Sequence, residues 1–523
     1  MFTATGLQQS DIARGARKLV RKTGKQILVL GAEGRVFAIA NRCPHEGYPL
    51  SEGTQGPGCV LTCNWHNWKF DLTDGAALIG RDPVRTYPVE IRGGEVFLDL
   101  TDPPAEAQRM RALNGLSAAI ADVDAPRIAR EAARLERAGF DASLAFAHAI
   151  IVRNERLEDG MTHAYGAGAD WLALAARAPD AQTRLAALLE PVSHIAWDSQ
   201  GADLFAYAQN VAPWDARAFI DAVEAEREAD AIAMMRGAIE TNISYDELRP
   251  VLAEAALAHY ADFGHCAIYT FKTGQLLARL DESVKEPLLL ALTRRIVRAT
   301  REERIPEFRS YSGAVAAWDD SGESPACAAD FIGLSVDAIL QRVLASSARP
   351  VREIYDALLG AAAFNLLHFD ITIDAATDNA IADNIGWLDF THALTFANAC
   401  RHICEDRPDL WPRALLQMAL FVGRNRKYVS KANDSSAWTV ADRDAFIADN
   451  MTSLYDHGIV EPIVACHRLK VLFALEDELR ATPDTPWAGD MCAAINRYLH
   501  TPMKRHHGLR NAAQAMDFIA KEG

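Results

Sequence analysis

Two short segments, each containing one cysteine and one histidine, constrain this chain more than any other feature. One residue separates Cys43 from His45, two separate Cys63 from His66, and seventeen lie between the two pairs. A [2Fe–2S] centre with mixed ligands needs two thiolates on one iron and two imidazoles on the other, and one pair on each of two loops supplies them. The alternative is a Cys₂His₂ zinc site, in which both cysteines usually precede both histidines. The alternating order favours the iron–sulfur cluster.

The sequence around these segments is typical of short β-strands. Residues 27–40, ILVLGAEGRVFAIA, and residues 86–100, TYPVEIRGGEVFLDL, each contain two apolar runs joined by a glycine-containing turn, which predicts two β-hairpins. The segment TDPPAEAQRM then has two prolines and no periodicity. We therefore predict a small all-β domain over residues 1–103 and a linker over residues 104–110.

The two segments carry a resemblance to a known family. CPHEGYPL and CNWHNWKFDLTDG resemble the cluster-binding loops of bacterial Rieske ferredoxins and of the Rieske domains of ring-hydroxylating oxygenases, and the similarity covers about residues 8–103. GRDP at 80–83 is similar to the third, proline-containing loop of the family. The resemblance implies a [2Fe–2S] cluster ligated by Cys43, His45, Cys63 and His66. It also implies electron transfer, with an external reductase or ferredoxin as the donor.

Departures within the loops predict a low reduction potential. The Rieske proteins of cytochrome bc complexes carry a second cysteine pair that bridges the loops, and Ser and Tyr hydroxyls that bond to the cluster. In this sequence Tyr48 and Trp65 occupy the places of those cysteines, and Trp68 and Phe70 those of the hydroxyls. Without these hydrogen bonds to sulfur, the reduced cluster is less stable. We therefore expect a reduction potential near the low end of the Rieske range, about −150 mV.

The rest of the chain, residues 111–523, has a helical pattern. Segments such as PRIAREAARLERAGF and KEPLLLALTRRIVRATREE are rich in Ala, Leu, Arg and Glu and have apolar residues at three- and four-residue intervals. Proline- and glycine-containing breaks separate the segments. The fold class is therefore multidomain, a small all-β domain followed by a large all-α domain that could comprise two sub-bundles.

Histidines recur in this region in an apolar or small-residue setting. Four of them follow a Phe or Met by two positions: His148, His163, His265 and His392. Asp262 and Asp389 each precede a histidine by three residues, which places carboxylate and imidazole on one helical face, a spacing similar to the Glu-x-x-His pairs of di-iron bundles. These six residues predict a second site, mononuclear or dinuclear, for non-haem iron. The alternative is that they are core histidines bonded to neighbouring carbonyls or acids.

Other catalytic patterns do not fit the helical region. Rieske oxygenases hold their iron with an Asp-x-x-His-x₄-His type pattern, but Thr270 and Ala397 stand where the second histidine would follow His265 and His392. A strand–GxGxxG–helix unit for NAD or FAD is also missing, so the chain is not a self-contained reductase. The segment FTHALTFANACRH resembles questin-oxidase-like helical proteins, which insert oxygen into aromatic polyketides, and this resemblance implies oxygen insertion.

Composition restricts the partners and the location. The net charge of −16 argues against nucleic acid or an anionic membrane as the main partner. No apolar run approaches the roughly 18 residues of a membrane span, and the nine cysteines fit free thiols, so we expect a cytoplasmic protein. The leading hypothesis is an oxidoreductase that passes electrons from the cluster to a helical domain and oxygenates a small organic substrate. The alternative is an electron carrier or redox-responsive module whose helical domain only docks partners.

Overall fold

The protein forms two compact units, Met1–Arg111 and Ala112–Gly523. The computed structural model describes residues 2–12, 16–430, 432, 434–504 and 506–522. The first unit contains the β-strands and the second is helical, which confirms the predicted fold class.

The described residues of the first unit form ten short strands. They are β1 Phe2–Gln8, β2 Arg17–Lys22, β3 Lys25–Ala32, β4 Arg35–Ala40, β5 Thr54–Gln55, β6 Val60–Thr62, β7 Lys69–Asp71, β8 Ala77–Ile79, β9 Val89–Arg92 and β10 Glu95–Asp99. Antiparallel pairing arranges them in three sheets, of order β1-β10-β9, β2-β3-β4 and β5-β6-β7-β8. The two hairpins predicted from sequence are β3–β4 and β9–β10. Strands β1 and β2 had no clear sequence signal.

Strand β3 lies at the centre of the unit because both of its faces are apolar. Leu28 and Leu30 belong to one apolar core, and Ile27 and Val29 belong to another. All four side chains are fully buried. Successive side chains of a strand point to opposite faces, so this one strand contributes to two small cores. The core that contains Leu28 and Leu30 also contains Cys43 and Cys63.

The second unit consists of helices, and an isolated bridge between Phe369 and Val429 is the only β-pairing among its described residues. From α1, which begins in the first unit, the helices are α1 Ala105–Ala121, α2 Ala125–Arg137, α3 Ser143–Arg153, α4 His163–Ala175, α5 Ala181–Asp198, α6 Ala216–Glu224, α7 Glu228–Glu240, α8 Tyr245–Ala258, α9 His265–Leu277, α10 Lys285–Arg298, α11 Tyr311–Ala316, α12 Ala328–Phe331, α13 Val336–Leu344, α14 Val351–Leu367, α15 Ile371–Ala375, α16 Trp387–Asp406, α17 Trp411–Asn425, α18 Arg443–Ser453, α19 Pro462–Ala481, α20 Ala488–His500 and α21 Gly508–Lys521. None of the helices in the described part of the chain has the length and apolar character of a membrane span.

The segment expected to be a linker is mostly helical. Helix α1 begins at Ala105, directly after Pro103 and Pro104, and the compact units divide at residue 111, within this helix. Proline is tolerated at a helix start, and Ala, Glu, Gln, Arg and Met are good helix formers. Local propensity therefore continues the helix through residues 105–110, although their apolar periodicity is weak.

Four helices of the second unit form a closed bundle. Helix α4 packs on α9, α9 on α16, α16 on α19, and α19 on α4. The interior of this bundle holds the polar groups described below, while the surrounding helices supply a continuous apolar core.

Candidate metal centres

The first cysteine–histidine loop follows β4 and is closed by two backbone hydrogen bonds. The Cys43 N–H donates to the Tyr48 carbonyl at 2.9 Å, and the Gly47 N–H donates to the Cys43 carbonyl, also at 2.9 Å. Gly47 has a φ of 78°, a left-handed conformation that glycine adopts without strain. The loop therefore holds Cys43 and His45 in a tight, well-defined turn.

The second loop connects β6 to β7 and repeats this pattern. The Cys63 N–H donates to the Trp68 carbonyl at 2.7 Å, and the Asn67 N–H donates to the Cys63 carbonyl at 3.1 Å. Asn67 has a φ of 61° at the position equivalent to the glycine, and asparagine is enriched among non-glycine residues there. The two loops thus present their cysteine and histidine with matching backbone geometry.

The four predicted ligands lie together between the loops. The Nδ1 atoms of His45 and His66 are 3.0 Å apart, and both cysteines are buried. Burial raises the pKa of the Cys43 thiol to about 11, although the backbone N–H groups of His45 and Glu46 act in the opposite direction. Two buried thiols and two converging imidazoles are the donor set of a mixed-ligand [2Fe–2S] cluster. The residues fit this cofactor.

Aromatic side chains surround the cluster loops. The Trp68 ring stacks on His45, with ring centroids 4.8 Å apart and an interplanar angle of 12°. Gly80, in the third loop, lies against Trp68, because a Cβ on this glycine would come within 2.4 Å of the indole. Tyr48 and Trp65 make an edge-to-face contact at 5.3 Å. An aromatic contact between Tyr48 and Trp65 therefore joins the two loops.

Four histidines from four helices converge inside the bundle of the second unit. His163, His265, His392 and His467 come from α4, α9, α16 and α19 respectively. The Nε2 atoms of His163 and His265 are 3.2 Å apart, as are those of His392 and His467. We call these four residues the histidine cluster.

Backbone carbonyls fix the tautomers of three cluster members. The Nδ1 atoms of His265, His392 and His467 lie 2.7, 2.6 and 2.8 Å from the carbonyl oxygens of Asp262, Leu388 and Ile463. A carbonyl oxygen only accepts, so each Nδ1 carries the proton. The Nε2 atom of a neutral imidazole then has a lone pair and no proton. All three lone pairs are available to a ligand.

The pair formed by His392 and His467 is therefore unfavourable by itself. Two Nε2 lone pairs face each other at 3.2 Å with no proton between them. A cation placed between the lone pairs would turn this repulsion into two coordinate bonds. Second-shell carbonyls that orient imidazoles in this way are characteristic of protein metal sites.

The electrostatic environment keeps the cluster neutral. Burial lowers the pKa of His265 to about 3 and holds the pKa values of His163, His392 and His467 well below the ordinary histidine value. Neighbouring imidazoles and the charge of Lys470 contribute in the same direction. Neutral imidazoles are the form that ligates metals.

The spacing of the nitrogen atoms suits a single ion. One ligand nitrogen from each of His163, His392 and His467 lies within 4.8 Å of the other two. With metal–nitrogen bonds of about 2.1 Å, nitrogens bound to one ion are about 3.0–3.4 Å apart when adjacent and about 4.2 Å apart when opposite. The two contacts of 3.2 Å fall in the adjacent range.

A strained turn positions His265. Asp262, Phe263 and Gly264 all have positive φ values, of 49°, 53° and 80°, immediately before the first residue of α9. A Cβ on Gly264 would come within 2.5 Å of the Phe396 ring. Left-handed conformations of non-glycine residues cost free energy and are found where the surrounding structure fixes a functional geometry.

The structure brings together some of the predicted residues of this second site and separates others. His163, His265 and His392 lie in the histidine cluster. His148 lies on α3, where its Nε2 is 2.7 Å from the Ser117 hydroxyl, and it has no part in the group of converging nitrogens. The Ser117 hydroxyl is therefore the hydrogen-bond partner of the His148 ring.

The two aspartates have structural partners. Asp389 accepts from the Gly386 N–H at 3.0 Å at the start of α16 and from Arg424 at 3.1 Å. Asp262 gives its backbone carbonyl to His265, and its carboxylate pairs with the Arg295 guanidinium. Asp389 thus closes the first turn of α16 by accepting from the N–H of the capping residue three positions earlier.

His467 was absent from our prediction. It follows Cys466 in a helical apolar run and lacks the Phe or Met two positions earlier that the other candidates share. Its available sequence signal was weak: the imidazole directly follows the apolar run from Ile463 to Cys466. That signal alone does not distinguish a ligand from a satisfied core histidine.

A polar cavity lies further along the same four helices. It has a volume of about 170 Å³, and its lining includes Asp170, Lys272, His402 and Asp477, one from each helix. On every one of these helices the lining residues follow the cluster histidine in sequence, so the four helices run in the same direction from the cluster to the cavity. We call this space the bundle cavity.

A larger, mainly apolar cavity adjoins the bundle cavity. Its volume is about 650 Å³, and it is lined by Leu174, Ile447 and Met451 among others. Arg177 and Glu476 line both cavities and form a two-pronged ion pair, with N···O distances of 2.9 and 2.8 Å. This ion pair marks the boundary between the two spaces.

The three antiparallel sheets and the two matched cysteine–histidine loops define the first unit as a Rieske-type [2Fe–2S] domain. The family model described as the Rieske [2Fe-2S] domain matches residues 5–88. The ferredoxin subunit of 3-phenylpropionate/cinnamic acid dioxygenase from Escherichia coli is 35% identical over 82 residues, which cover 15% of this chain and 77% of that protein. The chain belongs to the Rieske family through this unit, and its cofactor is a [2Fe–2S] cluster.

Oxygenases share the same domain with this chain. The 4beta-methylsterol monooxygenase of Methylococcus capsulatus is 38% identical over 98 residues, 16% of this chain and 26% of that protein. The chain therefore spans about a quarter of this relative's length. Among solved structures, the ferredoxin of Sphingomonas yanoikuyae B1 is 29% identical and covers 19% of this chain and 100% of its own, with a TM-score of 0.18.

Proposed function

We propose that the protein is an oxygenase-type oxidoreductase with two metal centres. Cys43, His45, Cys63 and His66 ligate the Rieske cluster, which receives electrons from an external reductase or ferredoxin. The histidine cluster would hold one iron ion, and that ion would supply one-electron chemistry with oxygen. The substrate is a small organic molecule.

The facing lone pairs of His392 and His467 carry this proposal. Leaving two unprotonated nitrogens 3.2 Å apart in a buried site is unfavourable, and a metal ion is the ligand that satisfies both. Imidazole suits iron, copper, zinc and nickel. A partner for a Rieske cluster must accept single electrons, which supports iron and argues against zinc.

The cavities support a substrate-binding role for the helical unit. The apolar cavity of about 650 Å³ lies within the size range of small-molecule sites, roughly 300–1,000 Å³. The rival hypothesis, an electron carrier whose helical unit only docks partners, requires neither a cavity nor converging imidazoles. The cluster histidines line neither of these two cavities.

The experiment compares how fast oxygen reoxidises the reduced Rieske cluster with and without iron in the second unit. Full-length protein is loaded anaerobically with Fe(II), reduced with dithionite and mixed with oxygenated buffer, and the visible spectrum of the cluster is followed. We expect faster reoxidation in the iron-loaded protein, because electrons then have a second route to oxygen.

Two histidine variants make the comparison specific. His467→Ala should reduce the rate to that of the iron-free protein. His500→Ala is the matched control, because His500 is exposed and its Nδ1 also lies close to a carbonyl four residues earlier, at 3.0 Å. Equal rates with and without iron would contradict the oxygenase proposal and favour the carrier.

A further inference from the structure

Two ionisable side chains lie inside the bundle, and each has a polar atom without a hydrogen-bond partner in the described part of the chain. Asp170 is 3% exposed and Lys470 is 2% exposed. One Asp170 oxygen lies 2.6 Å from the Lys272 ammonium, but its other oxygen and the Lys470 Nζ have no hydrogen-bond partner among the described residues. Buried charges are costly unless they are paired or serve a function.

The two groups lie at successive levels between the histidine cluster and the bundle cavity. Lys470 is three residues after His467, about 4.5 Å along the helix axis, and Asp170 is seven residues after His163, about 10 Å along it. Lys272 follows His265 by the same seven residues. Because the four helices run in the same direction, these side chains form a polar track toward the cavity.

Electrostatic coupling agrees with this order. Burial raises the pKa of Asp170 and lowers the pKa of Lys470. Burial also lowers the pKa values of the four cluster histidines, and the charge of Lys470 contributes in the same direction. The titratable groups that act on Lys470 are Cys466, Asp170 and Lys272. Along the bundle axis, Lys470 lies between the level of the histidine cluster and the level of the Asp170–Lys272 pair.

The outer end of the track opens into space that suits water. Asp170 and Lys272 line the bundle cavity, and most of the other lining side chains are polar. A cavity of about 170 Å³ holds several water molecules, since one needs only about 10–15 Å³ measured with a water-sized probe. Water there can exchange protons with the Asp170–Lys272 pair.

We propose that Lys272, Asp170 and Lys470 form the route by which protons travel from the bundle cavity to the histidine cluster. The inference rests on the proposed function, because the route serves oxygen reduction at that cluster. Without an organic substrate, O₂ takes up two electrons and two protons and becomes H₂O₂. One electron comes from the reduced Rieske cluster and the other from ferrous iron, which becomes ferric. With a substrate RH, the same electrons and protons give ROH and H₂O.

Lys470 delivers each proton from its ammonium group and becomes the amine. Cavity water then returns a proton to Lys470 through Asp170, which Lys272 keeps in place by its ion pair. The arriving electrons add negative charge inside the protein, and a proton delivered with each of them avoids an uncompensated buried charge.

The test follows reoxidation of the reduced, iron-loaded full-length protein by oxygen in a stopped-flow instrument. Lys470→Met removes the proton carrier and retains the length of the side chain. We expect the iron-dependent rate to fall roughly 100-fold, the lower end of the contribution of general acid catalysis. The matched control is Lys285→Met, on α10, where the ammonium pairs at 3.0 Å with Glu282 and lies outside the bundle.

Two further variants separate proton transfer from folding. The double variant Asp170→Asn/Lys272→Met removes the ion pair without leaving one charge alone, and it should also slow reoxidation. Lys470→Ala should regain rate when methylamine or ethylamine is added, which a purely structural role would not produce. Iron content is measured in every variant, so that loss of metal is not mistaken for loss of protons.

The outcomes distinguish this inference from the proposed function. If the wild-type protein binds iron but Lys470→Met reoxidises at the wild-type rate, the proton route is refuted and the oxygenase proposal stands. If the wild-type protein binds no iron in its second unit, both are refuted. A slow Lys470→Met variant with full iron content and amine rescue of Lys470→Ala would support the route.

Discussion

Replacing Gly264 by alanine should destabilise the helical unit and displace one ligand of the histidine cluster. Gly264 has a φ of 80°, and alanine in a left-handed conformation costs about 1–2 kcal/mol. The added Cβ would lie 2.5 Å from the Phe396 ring, and overpacking of this kind costs about 1–3 kcal/mol. Alanine also reduces the conformational entropy of the unfolded chain, which offsets about 0.4–1 kcal/mol of this destabilisation. The net loss is therefore about 1–4.6 kcal/mol.

Stability is measured by urea unfolding of the metal-free protein, with far-ultraviolet circular dichroism as the signal. Displacement of the ligand is measured as the iron content after anaerobic loading. Gly313→Ala is the matched control, because Gly313 lies in α11 and a Cβ there meets no atom within 4 Å. The control should be unchanged or slightly more stable, since alanine favours a helix over glycine by about 0.5–1 kcal/mol. Equal stability of the two variants would refute the account of the turn before His265.

Three further predictions concern the cluster potential, the independence of the two units and a pH-dependent ion pair. Voltammetry should give a Rieske midpoint near the low end of the family range, about −150 mV, and a value above about +100 mV would contradict the argument from the missing hydroxyls. His66→Ala should abolish the Rieske visible spectrum while circular dichroism retains the helical signal, because the units have separate cores; joint loss would show that the units fold together. Burial opposes protonation of His259, but its bonds to Glu302 and Glu224, both 3.1 Å long, raise its pKa above the ordinary value. This stabilisation is present at low pH and is lost as pH rises through the folded-state pKa, so His259→Gln should lower the free energy of unfolding more at about pH 6 than at about pH 8.5; an equal loss at both would contradict it.

The Rieske unit could be predicted from sequence because its information is local. Each ligand pair lies within four residues, and the hairpin turns carry glycines where left-handed backbone is needed. The helical fold was also predictable from periodicity. Strand β1 was not, because it pairs with β10, at the other end of the unit.

The histidine cluster was only partly predictable because it is assembled from four distant helices. A shared Phe or Met two residues earlier identified His163, His265 and His392 but also included His148, whose partner is Ser117. The same rule missed His467. Asp389 has the spacing of a metal ligand and the role of a helix cap, and the sequence does not separate these two uses.

The central claim is that the helical unit binds one iron ion at the histidine cluster. The most direct measurement is the Mössbauer spectrum of full-length protein reconstituted anaerobically with enriched iron. We predict one ferrous site in addition to the two irons of the Rieske cluster, lost in His467→Ala and retained in His148→Ala. A spectrum that contains only the Rieske cluster, or an additional site that depends on His148 rather than His467, would contradict the account.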